Sequence, residues 1–288
     1  HMFVNGIPLN ECGMEKHPLT PMTDHNLVRW LNYQTKNKVG LIDIKTIKKG
    51  GEEIKKKITS LKKQGVKYCL IDTVENVDFD RICEGTKHLK LLTGGSGIAL
   101  GIPKIFKKQG LIKKTNEILP KIKGYSIIVS GSCSNTTLNQ VKTYKNKHPS
   151  LSLSPDKIIN DSGYLGKVID WVIKNKNNKP LLYSSSKPDV IKKNQKKYGK
   201  NLIATQIETF FQNVVSKLYQ EDFKKIVSAG GETSGAVVKG LGLEELQIGQ
   251  EISAGVPTMW EPNRSIKIAL KSGNFGQEDF FSRALKML

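Results

Sequence analysis

The chemically most informative residues of this chain lie in short turns of small and polar residues. One turn consists of Gly230, Gly231, Glu232 and Thr233 and follows a short apolar run. Paired glycines let backbone N–H groups approach a ligand closely, and a helix beginning near Thr233 would direct free amides and its positive dipole end at an anion. Glu232 is then suited to hold Mg²⁺, directly or through water. In the alternative interpretation, Thr233 or Ser234 simply caps that helix.

A second turn, with the sequence SGSCS, carries hydroxyl groups on Ser130, Ser132 and Ser134. Hydroxyls and backbone amides together can bind the oxygens of a phosphate group. The same groups can instead satisfy the backbone of a tight turn. The residue types alone leave both interpretations open.

Two further turns contain glycine after an apolar run. Lys271 and Gly273 belong to one of them, and Lys271 is one of only four lysines in the last 60 residues. Gly273 would let a nucleotide base or ribose pack against bare backbone. The other turn, TGGSG, contains Gly94, Gly95 and Ser96, and a glycine-rich turn by itself is weak evidence of a site. No turn matches G-x-x-x-x-G-K-[ST], or G-x-G-x-x-G with an acidic partner, so neither of these nucleotide-binding motifs is predicted.

An irregular stretch near the start of the chain contains His17 beside a proline. His17 could face a ligand, or it could be a structural histidine whose hydrogen bonds are satisfied. Thr23 or Asp24 is expected to cap the helix that follows. Because H-E-x-x-H and G-x-S-x-G patterns are absent, no metal ligands and no hydrolase nucleophile are assigned.

Short apolar runs alternate with segments of helical periodicity, which predicts an α/β fold with mostly parallel sheets and flanking helices. The expected strands are Val39–Ile44, Lys67–Asp72, Leu89–Leu92, Tyr125–Val129, Leu181–Ser184, Lys225–Ser228 and Ile266–Leu270. The expected helices are Asn26–Gln34, Glu52–Lys63, Thr136–Lys147, Tyr164–Lys174, Ile207–Tyr219 and Asp279–Leu288. Four expected strands run directly into the four turns, at the carboxyl ends where open α/β sheets bind their ligands.

The formal charge of +20 comes from 46 basic and 26 acidic residues and raises the question of nucleic-acid binding. Only four of the basic residues are arginine, whose planar guanidinium favours phosphate and base-edge contacts. The last 60 residues hold six basic and seven acidic side chains, so the excess is a lysine bias of the preceding residues. We therefore expect a solvated lysine-rich surface and no nucleic-acid partner.

The four cysteines lie far apart, without a C-x-x-C pair, so neither a disulfide framework nor a cysteine zinc site is expected. No apolar run approaches the roughly 20 residues that span a bilayer. A cytoplasmic location without a membrane partner is the resulting expectation. A length of 288 residues suits one large domain or two medium ones.

The segments together resemble the four-carbon acid sugar kinase family, in particular its 3-oxo-tetronate kinase branch. The resemblance rests on HPLTPMTDHNLVRWL (His17–Leu31), LLTGGSGIALGIP (Leu91–Pro103), VSGSCSNTTLNQV (Val129–Val141), SAGGETSGAVVKGLG (Ser228–Gly242), IGQEISAGVP (Ile248–Pro257) and ALKSGNFGQEDFFSRAL (Ala269–Leu285). It implies an ATP-dependent kinase that phosphorylates the terminal hydroxyl of a four-carbon sugar acid. In such a transfer the protein mainly positions the phosphates and stabilises their charge.

The resemblance also implies a partial acid-sugar-binding domain at residues 1–115 and a nucleotide-binding domain at residues 116–288. ATP and Mg²⁺ would occupy the second domain, with ATP in contact with the SGSCS serines, the turn Gly230–Thr233 and Gly273. The acid sugar would lie on the side of His17, Gly94, Gly95 and Ser96.

One departure from the family pattern concerns an Asp-Asp-x-Thr-Gly motif that opens family members and that this chain lacks. The chain is therefore expected to begin partway through the substrate domain, to bind ATP, and to have weakened or lost sugar-acid phosphorylation. No catalytic base is assigned within it. Open sheet edges in residues 1–115 would favour a homo-oligomer or pairing with the missing segment. The alternatives are an ATP- or phosphate-binding module without turnover and, less favoured, a nucleic-acid-binding protein.

Overall fold

The computed structural model describes residues 1–4, 6–16, 20–113, 119–186 and 188–288. The chain divides into two compact units, His1–Thr115 and Asn116–Leu288. None of the described helices combines the length and apolar character that a membrane-spanning segment requires.

The described part of the first unit is built around a small parallel sheet. Its strands and helices are β1 (Phe3–Val4), β2 (Ile7–Pro8), α1 (Leu27–Asn32), β3 (Val39–Ile42), α2 (Ile44–Lys48), α3 (Gly51–Lys63), β4 (Tyr68–Ile71), α4 (Asn76–Thr86) and α5 (Ile102–Lys108), with 3-10 turns at Met14–Lys16 and Ser96–Leu100. Strands β3 and β4 pair in parallel, with Val39 opposite Tyr68, and α2 and α3 connect them. Ile42, Ile47 and Ile54 form the centre of its apolar core.

Two expectations for this unit are wrong. Leu89–Leu92 forms no strand and lies in the connection after α4, because Leu91 is 83% exposed and the run buries too little surface to pair within a sheet. Asn26 caps α1 in place of Thr23 or Asp24, since its side-chain oxygen accepts a hydrogen bond from the Arg29 amide. Asp24 instead pairs with the Arg29 guanidinium, which lowers the pKa of Asp24 to about 2.

The described residues of the second unit form a seven-stranded sheet in the order β6-β7-β5-β8-β11-β10-β9. The strands are β5 (Tyr125–Ser130), β6 (Ser150–Ser152), β7 (Leu181–Tyr183), β8 (Phe223–Ala229), β9 (Gln247–Ser253), β10 (Val256–Glu261) and β11 (Ile266–Lys271). The helices are α6 (Asn135–Lys145), α7 (Pro155–Asn160), α8 (Tyr164–Lys174), α9 (Pro188–Tyr198), α10 (Lys200–Gln220), α11 (Gly231–Gly240) and α12 (Phe280–Met287), with a 3-10 turn at Lys176–Asn178. All pairings are parallel except those of β10, which runs antiparallel to both of its neighbours.

Alternate residues of the central strands point to two different apolar layers. Ile226 and Ile268 pack with Phe211 and other residues of α8, α10 and α11 on one face. Val227 and Ala269 pack on the other face with residues of α6 and α12. Because both faces are covered, the strands are almost continuously apolar, which confirms the predicted α/β fold with a mostly parallel sheet.

Candidate functional site

Three of the four predicted turns follow strands that lie side by side. β5, β8 and β11 are neighbours and run parallel, with Ser130 opposite Ala229 and Ala229 opposite Lys271 at their ends. The carboxyl ends of parallel strands meet at one edge of a sheet, so the turns after them form a single group. The structure therefore brings together Ser130, Ser132, Ser134, Gly230, Gly231, Glu232, Thr233 and Gly273.

Backbone hydrogen bonds link these turns directly. The amides of Gly131 and Ser132 both donate to the Ala229 carbonyl, at 3.0 and 3.1 Å. The Gly230 amide donates to the Lys271 carbonyl at 2.8 Å. The starts of the turns after β5 and β8 are thus each held by the end of a neighbouring strand.

The three serines of the SGSCS turn have different surroundings. Ser130 is fully buried, and its hydroxyl bonds the Ser185 hydroxyl at 2.8 Å. The Ser134 hydroxyl caps α6 by accepting from the Thr137 amide, and it donates to the Gly273 carbonyl at 2.7 Å. Ser132 is half-buried, and within the described part of the chain its hydroxyl makes two long contacts, both of 3.3 Å and both with Ser134. Of the three hydroxyls, that of Ser132 is the one least committed to the fold.

Two glycines are required by the close approach of the turns. A Cβ atom at Gly273 would overlap the hydroxyl of Ser132, and a Cβ atom at Gly131 would overlap the hydroxyl of Thr233. A larger residue at either position would require the Ser132 or Thr233 side chain, or the turn that carries it, to shift. Gly273, which the sequence suggested for close approach of a ligand, thus also serves contact between the turns.

The N-terminus of α11 is available for an anion. The helix begins at Gly231, two residues before the expected start, with Gly230 as its N-cap, and no described side chain caps it. The capping role considered for Thr233 or Ser234 is therefore wrong; Thr233 is buried against Gly131, and the Ser234 hydroxyl donates to Ser228. Amides in the first turn of a helix have no intrahelical acceptor, and the positive end of the dipole lies there. The exposed backbone at Gly231 fits a phosphate oxygen.

Cys133, the fourth residue of the SGSCS turn, lacks the lowered thiol pKa of a reactive cysteine. Burial raises the pKa of its thiol and the nearby Glu232 carboxylate adds to that rise, whereas the Ser186 amide opposes it. A reactive cysteine requires a lowered pKa. The same interaction indicates that the Glu232 carboxylate lies near the SGSCS turn.

Two supporting residues of α6 were not found by sequence reasoning. Gln140 is fully buried, and its amide nitrogen lies 3.0 Å from each of the carbonyl oxygens of Phe275, Gly276 and Gln277. Thr137, also buried, donates to the Gly273 carbonyl at 2.8 Å. Both positions recur on the buried face of the helix that Ser134 caps, which is the one sequence signal that could have identified them.

The fourth predicted turn lies in the first unit and does not follow a strand. Gly94, Gly95 and Ser96 are exposed and lead into the 3-10 turn Ser96–Leu100. That turn packs on α4, where a Cβ atom at Gly97 would overlap Phe79. His17 lies outside the described residues.

Comparison with known proteins gives matches over both units. A family model described as a nucleotide-binding C-terminal domain matches residues 127–281, and one described as a sugar-binding N-terminal domain matches residues 1–102. A 3-oxo-tetronate kinase of Haemophilus influenzae is 38% identical over 289 residues, which cover 100% of this chain and 69% of that protein. A 3-oxo-tetronate kinase of Brucella melitensis is 35% identical over 291 residues, which cover 100% of this chain and 67% of that protein.

The fold is also similar to that of a solved structure. A crystal structure of a Haemophilus influenzae protein superposes with a TM-score of 0.68 at 37% sequence identity. The superposition covers 97% of this chain and 68% of that one. This chain thus spans about two thirds of the length of the proteins that it matches.

Proposed function

The chain belongs to the four-carbon acid sugar kinase family, and we propose that its substrate is 3-oxo-tetronate, phosphorylated on the terminal hydroxyl. The family assignment itself makes the protein an ATP-dependent kinase of a four-carbon sugar acid. The choice of 3-oxo-tetronate within that class is supported by the names of relatives that are 35–38% identical.

For the nucleotide, we propose that residues 116–288 bind ATP at the three joined turns. The observation that carries this proposal is the uncapped N-terminus of α11, which lies beside the SGSCS turn and the Gly273 turn. The amides of Gly231 and Thr233 would hold phosphate oxygens, and the Ser132 hydroxyl would donate to another. Gly230 would support the turn, since its amide already donates to the Lys271 carbonyl. Ser130 and Ser134 would act by supporting the turn, since their hydroxyls are already bonded within the protein.

For the metal, we propose that Glu232 holds Mg²⁺ together with the phosphates of ATP. The described residues contain no cluster of three or more histidine, cysteine or carboxylate side chains that would form an all-protein site. Mg²⁺ in kinases is commonly bound by one or two carboxylates, substrate phosphates and water, so the exposed carboxylate of Glu232 fits this role. When bound, the ion would neutralise charge on the transferred phosphoryl group.

For the sugar acid, we propose that residues 1–115 form the binding domain, with Gly94, Gly95 and Ser96 in contact with the substrate. The exposure of this turn and the description of the matching family model support the assignment. His17 is proposed for the same side from the family resemblance alone.

An assay of ADP release, coupled to NADH oxidation, tests the proposed function. The full chain is supplied with ATP, Mg²⁺ and either 3-oxo-tetronate, threonate or erythronate. We expect ADP release that requires the sugar acid and is fastest with 3-oxo-tetronate. Faster release with threonate or erythronate would contradict the substrate choice, and ATP binding without turnover would favour the binding-module alternative.

A further inference from the structure

Lys271 lies at the end of β11, directly before the Gly273 turn, and the residue is buried, with only 1% of its surface exposed to solvent. Its ammonium nitrogen is 2.9 Å from the Thr137 hydroxyl and 3.0 Å from each of the carbonyl oxygens of Ser272 and Gly273. An ammonium group has three N–H donors, so all three are used. The side chain therefore ties the turn after β11 to the first turn of α6.

The charge of Lys271 is not paired within the described residues. Its three acceptors are a hydroxyl and two carbonyls, and none of the described ion pairs includes it. Burial lowers the pKa of Lys271 to about 8, and no charged side chain contributes to that shift. A buried ammonium without a counter-ion is unfavourable, which makes this position suited to an anionic ligand.

The contacts of Lys271 also set the direction of two backbone amides. In a planar trans peptide the C=O and N–H bonds point in opposite directions. Because the carbonyls of Ser272 and Gly273 point toward the ammonium group, the N–H groups of Gly273 and Asn274 point away from it. Neither N–H donates to an acceptor among the described residues.

We propose that Lys271 is a positioning residue for the nucleotide: it orients the free amides of Gly273 and Asn274 toward a phosphate group and places a positive charge behind them. This inference rests on the proposed ATP site. It adds to that site a residue that acts through the backbone of its neighbours and does not itself need to touch the ligand.

ATP binding beside a buried lysine should depend on pH. A bound phosphate favours the charged form of Lys271 and raises its pKa, so ATP binding takes up a proton when the pH is above about 8. Among the described residues, the groups that face the ammonium are Thr137, the two carbonyls and the Phe280 ring of α12, and none of these titrates in this range. ATP affinity should therefore fall as the pH rises through that value.

Calorimetric titration of the full chain with ATP, in buffers of different ionisation enthalpy, measures both the affinity and the proton uptake. We expect the dissociation constant to rise about tenfold between about pH 7.5 and about pH 9.5, where ATP is itself fully ionised. K271M should bind ATP about tenfold more weakly at the lower pH and show no proton uptake. K271R, which keeps the charge but does not titrate, should recover much of the affinity without the pH dependence.

Lys267 provides the matched control, because it lies on the same strand, is also buried, and also has its pKa lowered by burial. K267M should keep the pH profile of the unaltered chain. In turnover, K271M should raise KM for ATP with little change in kcat, whereas a general loss of structure would lower kcat as well.

Three results would overturn the inference. The first is ATP binding by the unaltered chain without proton uptake. This result would contradict the role of Lys271 even if K271M does not fold. The second is a folded K271M that matches the affinity and pH slope of the unaltered chain. Absence of ATP binding by the unaltered chain would contradict the proposed function first and would remove this inference with it.

Discussion

Gly273 is the residue on which contact between the three turns depends most directly. Its carbonyl accepts from Ser134 and Thr137, and a side chain at this position would overlap Ser132. The overlapping atom is the Ser132 hydroxyl oxygen, which would have to rotate away from a Cβ atom because the Ser132 backbone is held by the neighbouring strand.

Replacing Gly273 by alanine should weaken ATP binding at least tenfold, because the added methyl group displaces the Ser132 hydroxyl and covers the backbone against which the nucleotide is proposed to pack. Calorimetric titration with ATP measures the effect. The control is G166A in α8, where a Cβ atom meets no neighbour and alanine should raise the free energy of unfolding by about 0.5–1 kcal/mol. Equal ATP affinity in G273A and the unaltered chain would contradict the assigned position of the nucleotide.

Ser132 and Ser134 should respond differently to replacement by alanine. S132A removes a hydroxyl with only two long contacts, so KM for ATP should rise several-fold while the unfolding midpoint stays nearly constant. S134A removes the α6 cap and a bond to the Gly273 carbonyl, which should lower the free energy of unfolding by about 1–2 kcal/mol. Steady-state ADP release and urea unfolding distinguish the two effects. An unchanged KM in S132A would show that this hydroxyl does not reach the nucleotide.

At the scale of elements, the central strands could be predicted from sequence, whereas the edge of the sheet could not. β5, β8 and β11 are buried on both faces and therefore read as apolar runs that end in turns. β9 is largely exposed and β10 contains Pro257 at an irregularity in their pairing, so neither carries a clear apolar pattern. Leu89–Leu92 is the opposite case, because its apolar pattern predicts a strand that the structure does not form. The run has no partner strand, and Leu91 is exposed.

In the candidate site, the turns could be predicted from sequence, whereas the long-range contacts that support them could not. The turns were predicted because small residues after a strand are a local signal. The contact of Gln140 with Gly276 joins residues 136 positions apart, and no local pattern encodes such a pairing.

The start of α4 depends on the buried carboxylate of Asp78. This group accepts from the amides of Val74 and Glu75, each at 3.0 Å, and from the Arg81 guanidinium at 2.7 Å. Burial by itself would raise the pKa of Asp78, but the two amides and Arg81 together lower it below the ordinary value. A carboxylate with a lowered pKa in the folded state contributes stability above its unfolded pKa and loses that contribution as the pH falls through the folded pKa.

We therefore expect D78N to lower the free energy of unfolding at about pH 7 by about 1–3 kcal/mol, because the charged hydrogen bonds become neutral. The difference between D78N and the unaltered chain should shrink below about pH 4, where Asp78 begins to protonate in the unfolded chain, and should be lost as the pH falls through the lower pKa of the folded state. Urea unfolding at a series of pH values gives the comparison. A difference that stays constant over the whole range would show that the charge of Asp78 is not what stabilises α4.

At the scale of the whole molecule, the net charge of +20 and the chemistry of the site point to different partners. The proposed site lies in the second unit and consists of hydroxyls, amides, the Glu232 carboxylate and one buried lysine. The excess of lysine lies mainly in the residues before the last 60. None of the contacts described above places these lysines at the three turns.

We expect no measurable binding of duplex DNA by the full chain at about 0.15 M salt, and only weak binding at low salt. Fluorescence anisotropy with a labelled duplex across a salt series provides the measurement. A protein that used its lysines on phosphates would show a steep fall in affinity with salt. Such a fall from a tight starting affinity would support the nucleic-acid alternative.

The central claim is that the three joined turns bind ATP for transfer to a sugar acid. The most direct test is the rate of ADP release by the full chain with ATP and Mg²⁺, measured with and without 3-oxo-tetronate and compared with that of G273A. We predict release that requires 3-oxo-tetronate in the unaltered chain and falls at least tenfold in kcat/KM for ATP in G273A. Sugar-acid-dependent release that is equally fast in G273A would contradict the account.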